Sequence, residues 1–149
     1  MRFVIVPAIF YMYISHAACY NVLYNLFFTE VLTNIHAFLM IATNHCGSDL
    51  TRFNTHVDPK SDEFYMRQIK GSADFNTGSD LNDFFHGFLN YQVEHHLWPD
   101  LSLLSYKQAH AEVKQICASH DIPFIQEHVF VRLIKTIDIM VGNSSMKRE

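Results

Sequence analysis

Gln92-Val93-Glu94-His95-His96 holds the residue types and spacing of this chain best suited to chemistry. On a helix turning about 100° per residue, Gln92 and His96 lie about 40° apart and His95 about 60° to the other side of Gln92, so all three share one arc about 100° wide. Adjacent histidines on such an arc splay by one step. That suits two neighbouring metal ions, or one ion and the groups behind its ligands, better than compact chelation of a single ion. Phe84, Phe85, Phe88 and Tyr91 precede the pair and Leu97, Trp98 and Pro99 follow it, which predicts an aromatic, water-poor setting. Neutral imidazoles buried there need partners, and a metal supplies them; a chance pair on a solvated helix is the plain alternative.

With its flanks, LNYQVEHHLWPDL resembles the third histidine box, Q-x-x-H-H followed by Leu-aromatic-Pro, of the membrane fatty acid desaturases, which are integral di-iron oxygenases. TNHCGSDL is similar to the Asn-His-x-Gly element that closes their last long transmembrane helix. His45 precedes His95 by 50 residues, in keeping with that family, and the resemblance runs from about residue 28 to residue 106. It implies that His45, His95 and His96 bind two non-haem irons, which activate O2 to dehydrogenate an acyl chain. Gln92 stands where other members carry a third histidine, and ligation, holding a water and supporting the ligands from behind are three roles open to it. Glu94 and Asp49 would stand behind the ligands, each orienting a histidine of a neighbouring box. The implied partners are the bilayer, an acyl-lipid or acyl-CoA substrate, and a b-type cytochrome or ferredoxin as electron donor.

Two departures from the family pattern matter. Ile41 occupies the position, four residues before His45, where some members place an asparagine. The two earlier boxes, H-x-x-x-H and H-x-x-H-H, do not occur upstream of His45. The expectation is therefore the C-terminal part of a desaturase, incomplete and inactive alone. Sphingolipid desaturases and acyl or carotenoid hydroxylases share the scaffold and are alternative chemistries. A noncatalytic membrane remnant and a zinc hydrolase are alternatives of other classes.

The remaining histidines have weaker claims. His36 and His86 each lie nine residues before a box histidine, about 13.5 Å away along a continuous helix. An interhelical hydrogen bond is the preferred reading for His36. His86 reaches the site only if Gly87 breaks its helix. His16, His56, His110, His120 and His128 read as solvated or structural.

These residues must be positioned by elements that the charge pattern outlines. The chain has 149 residues, 49% hydrophobic and only 17% charged, with a net charge of −4; soluble domains carry about 25% charged residues. The mild acidity excludes nucleic acid as a partner, since that needs a basic face. Arg2 and Glu30 are the only charges before Asp49. The run 3–29 is uncharged and longer than the about 20 residues that one membrane span requires. Polar residues around Ser15 and His16 predict a break, giving a short span over about 3–14 and a longer one over about 20–43. A secretory signal competes, with Ala17-Ala18-Cys19 as its cleavage site, but apolar character continues too far beyond it. Three cysteines, odd in number and far apart, argue against a disulfide framework.

From Asp49 onward lie 10 of the 11 basic and 14 of the 15 acidic residues. This portion reads as a helical cap facing the cytosol. A helix ends at Gly71, SADFNTGSD is a loop, and Ser79 or Asp80 caps the segment that leads to the box and stops at Pro99. An amphipathic helix follows, with Leu104, Ala111, Val113 and Ile116 as its apolar positions, and another opens at Pro123 and ends at Gly142. The last seven residues read as frayed, and no strand is expected. The fold class is all-α: a transmembrane helical hairpin over 1–48, then the cap over 49–149, as in the C-terminal half of a membrane desaturase. The resemblance places it as a multi-pass protein of the endoplasmic reticulum or the bacterial inner membrane.

Overall fold

A computed structural model describes residues 1–149. The chain is mainly α-helical and divides into two compact units, Met1–Phe38 and Leu39–Glu149. The boundary falls inside a helix, so the segment carrying His45 belongs with the polar portion.

The first unit holds α1 (Arg2–Tyr13) and most of α2 (His16–Ile41). The break between them falls at Ile14-Ser15, where the Ser15 hydroxyl accepts a bond from the Ala18 N–H of the opening turn of α2. With the 3-10 turn Ala42–Asn44 that prolongs it, α2 is long and apolar enough to cross a membrane, whereas α1 is shorter. Both helices expose large apolar side chains all round, among them Val4, Tyr13, Tyr24 and Leu32, the pattern of helices that do not face water. Arg2 and Glu30, the two charges of this unit, pair with each other, which lowers the cost of holding ions on an apolar surface.

The second unit builds the cap from short helices. Ser61 caps α3 (Asp62–Lys70), which stops at Gly71 as the sequence predicts. Ser79 caps α4 (Asp80–Phe85). Gly87 and Phe88 then both take left-handed backbone, φ +59° and +60°, so the chain breaks before the 3-10 turn Leu89–Tyr91 and α5 (Gln92–Leu97). The box therefore stands on its own six-residue helix. α6 (Leu103–Ser119) and α7 (Val129–Met140) complete the cap. Its small apolar core joins Ile69 of α3, Val93 and Leu97 of α5, and Val113 and Cys117 of α6.

Four expectations are corrected here. α6 buries Tyr106, Val113 and Cys117, while Leu104 and Ile116 are exposed; the inward face is the one on which Val113 and Cys117 join the core with Ile69, Val93 and Leu97. α7 starts at Val129, not at Pro123, because Gln126–Glu127 pair in parallel with Asp74–Phe75 and His128 caps the helix. The carboxyl-terminal residues are held: Lys147–Arg148 pair in parallel with Thr51–Arg52, and the Lys70 ammonium bonds Glu149. The setting before the box is also less dry than expected, since Phe84 and Phe85 are 71% and 61% exposed and only Tyr91 of the named aromatics is buried.

Candidate metal centre

His45 follows directly on the end of α2, and two side chains fix that end. Thr43 donates its hydroxyl to the Leu39 carbonyl at 2.7 Å. Asn44 donates its amide to the Met40 carbonyl at 3.2 Å and to the Leu89 carbonyl at 2.8 Å, tying the helix end to the turn that precedes α5. The Ala73 N–H adds a bond to the Asn44 carbonyl.

The box helix is held from the other side. Asp74, fully buried, accepts the Val93 N–H at 2.8 Å and so caps α5 from a neighbouring strand, satisfying a donor that a helix start leaves unpaired. Asn90 and Tyr91 donate to buried Asp83, whose second oxygen takes the Lys107 ammonium at 2.7 Å. These bonds hold Gln92, His95 and His96 toward His45.

The three imidazoles converge. The ring centroids of His45 and His96 lie 4.8 Å apart and those of His95 and His96 5.8 Å. Gln92 brings its amide nitrogen 3.3 Å from His45 Nε2, while its own carbonyl oxygen is buried without a hydrogen-bond donor. Tautomers follow from the groups behind. Tyr106 gives its hydroxyl proton to the Pro99 carbonyl, so its oxygen receives the Nδ1–H of His95 at 3.2 Å. The Gln68 carbonyl receives the Nδ1–H of His96 at 3.0 Å. Both histidines thus keep the Nε2 lone pair free, the arrangement in which metal-binding histidines are held.

The electrostatics agree with that reading. Burial, then the neighbouring His45 and His95, pushes His96 down to about 4. Burial, then His95, also lowers His45. The free Nε2 lone pairs of His95 and His96, with the buried, unpaired Gln92 amide oxygen beside them, fit a cation of the borderline class that imidazole prefers. A cavity of about 400 Å3 lies beside His96, walled by Phe53, Val57, Phe64, Arg67 and Gln68.

The structure places the other named residues elsewhere. Glu94 accepts a bond from His110 at 3.0 Å, and Asp49 accepts from Arg132 and Lys135; their partners are not box histidines. His86 bonds the Asn82 carbonyl, His16 stacks on Tyr11, and His128 caps α7.

Asp74, Glu94 and His110 form a second cluster of metal-ligand type, with ligating atoms within 4.8 Å of one another. Burial first, then the Glu94 charge, raises Asp74 to about 7. Against burial, the bonds to Asp74 and Glu94 push His110 up to about 9. Its Nδ1 stands 3.2 Å from Asp74 and 3.0 Å from Glu94, so the imidazolium bridges two buried carboxylates and ties α5 to α6.

Sequence reading missed Gln68, Asp74 and Tyr106. Gln68 and Tyr106 were legible only as helix positions, and Asp74 lay in a segment read as loop. No local signal marks residues whose partners stand 11 to 28 positions away.

Residues 1–128 match the fatty acid desaturase family, and the chain belongs to that family. It is 38% identical over 79 residues to a NADPH-dependent stearoyl-CoA 9-desaturase of Mycobacterium tuberculosis, covering 53% of this chain and 18% of that protein. It is 35% identical over 86 residues to Delta(5) fatty acid desaturase A of Dictyostelium discoideum, with 54% of this chain and 18% of the relative covered. A probable Delta(5) fatty acid desaturase C of the same organism matches over 133 residues at 26% identity, 83% of this chain and 29% of the relative. The chain thus spans less than a third of the length of these curated relatives. No solved structure matches it.

Proposed function

We propose that this chain is the part of an O2-dependent fatty acyl desaturase that carries the third histidine box and the additional histidine at the end of a membrane helix. His45, His95 and His96 would hold non-haem iron, with Gln92 beside them. The observation that carries this reading is the convergence of three imidazoles, two of them with Nδ1 occupied from behind. Bound iron would supply the reduction of O2 and the oxidation of an unactivated C–H bond. The residues of this chain contribute fixed ligand directions and a partly apolar cavity beside His96.

A two-iron centre takes more ligands than three imidazoles and one amide provide, so the first two boxes complete the site. The whole enzyme spans a bilayer with 1–48 as a helical hairpin and 49–149 as a cytosolic cap. An acyl lipid or acyl-CoA is its substrate, and a b-type cytochrome or ferredoxin is its donor. The test joins this chain to the first two boxes of a relative in a host lacking the activity and examines its fatty acids by gas chromatography–mass spectrometry. New double bonds that vanish with His95→Ala or His96→Ala support the proposal. A hydroxylated product would assign the alternative chemistry of the same scaffold, and turnover retained in those variants would end the ligand assignment.

A further inference from the structure

Arg132 is fully buried, and its guanidinium is spent on the backbone around His45. Nε donates to the Thr43 carbonyl at 3.2 Å and Nη2 to the Cys46 carbonyl at 3.1 Å; these two residues bracket Asn44-His45. Nη1 takes both Asp49 oxygens at 2.8 Å and Glu127 at 3.3 Å. Thr136, one turn further along α7, donates a second bond to the Cys46 carbonyl at 3.1 Å. The carbonyls of Thr43 and Cys46 belong to the stretch where a helix end leaves acceptors unpaired. A flat fork of five donors can serve two carbonyls and a carboxylate at once, which an ammonium cannot. Asp49 and Glu127 balance the charges of Arg132 and Lys135, so the strut is neutral as a group.

Gly47 gives an independent sign of the same device. A Cβ on Gly47 would lie 2.6 Å from Arg132 Nη2 and 2.6 Å from Asp49 Oδ1. Glycine is needed there for room, so that the guanidinium can lie against the backbone. His95 and His96 have acceptors behind their Nδ1 atoms, whereas the side-chain hydrogen bond given to His45 is the one to Gln92. Its direction comes from the main chain.

We propose that Arg132 is a positioning residue for the metal centre, acting through His45; this rests on the reading of His45 as a ligand. The test titrates Co2+ into the purified chain in detergent, following the d–d absorption of the ion. Arg132→Met, Gly47→Ala and His45→Ala should each weaken Co2+ binding by about 10–100-fold, the usual effect of losing support behind a ligand. Adding Arg132→Met to His45→Ala should cost nothing further, and Arg132→Lys should recover part of the loss. Arg132→Met with full affinity, or with the same loss whether or not His45 is present, overturns the proposal while leaving the ligand reading standing. Unchanged affinity in His45→Ala instead sinks the ligand reading and this proposal with it. Should Arg132→Met fail to fold, Gly47→Ala carries the same comparison, because it keeps every charge and only crowds the guanidinium.

Discussion

At the scale of single residues, the imidazoles are set by the atoms behind them. The Gln68 carbonyl fixes the tautomer of His96. Gln68→Ala should therefore weaken Co2+ binding by about 10–100-fold in an optical titration, and Gln68→Glu, which keeps an acceptor, should retain most of it. Acid offers a second check. His96 titrates at about 4 in the folded chain and at about 6.5 unfolded, so between those values the unfolded chain binds the proton first. His96 alone therefore removes stability as pH drops from 7 toward 4, while Asp74, raised to about 7, adds stability over the same window. The His96 share is read as a difference: the melting temperature of the metal-free chain should fall relative to that of His96→Asn as pH drops from 7 toward 4. Parallel profiles for the two would show that His96 does not contribute.

At the scale of elements, the box works because a six-residue helix is held by residues that are not part of it. Asp83 illustrates this by receiving Asn90, Tyr91 and Lys107. Asp83→Ala would strand the buried Asn90 amide and Tyr91 hydroxyl, at about 1–3 kcal/mol for each unpaired group. Urea denaturation should show a loss of about 2–6 kcal/mol for the two together, and a loss under about 0.5 kcal/mol would mean that the turn relaxes freely. The same elements show what the amino-acid order reveals. Gly71, Ser79 and the break near Ser15 were legible because caps and breaks are local chemistry. The late start of α7 and the held carboxyl-terminal residues were not, since strand pairs of two residues leave no periodic trace. His45, His95 and His96 were legible as motifs; their convergence depends on Asn44, Asp74 and Arg132, whose partners lie far off in the chain.

At the scale of the whole molecule, the division of charge predicts orientation. A single cysteine placed at Glu112, which is exposed on α6, in a chain without its three native cysteines should react with an impermeant maleimide only from the cytosolic side. Reaction from the opposite side would invert the arrangement. Cys117 cannot report on this, because it is 1% exposed.

The histidines come from two stretches 50 residues apart, with Gln68 and Tyr106 supporting them from two further helices. A cation seated among them would staple four separate pieces of backbone into one. Loading with metal then becomes a folding cross-link as well as a chemical step: at a hundredfold excess over its dissociation constant the ion would add about 2.7 kcal/mol. The metal-free cap should accordingly be digested faster by a protease than the cap loaded with Co2+.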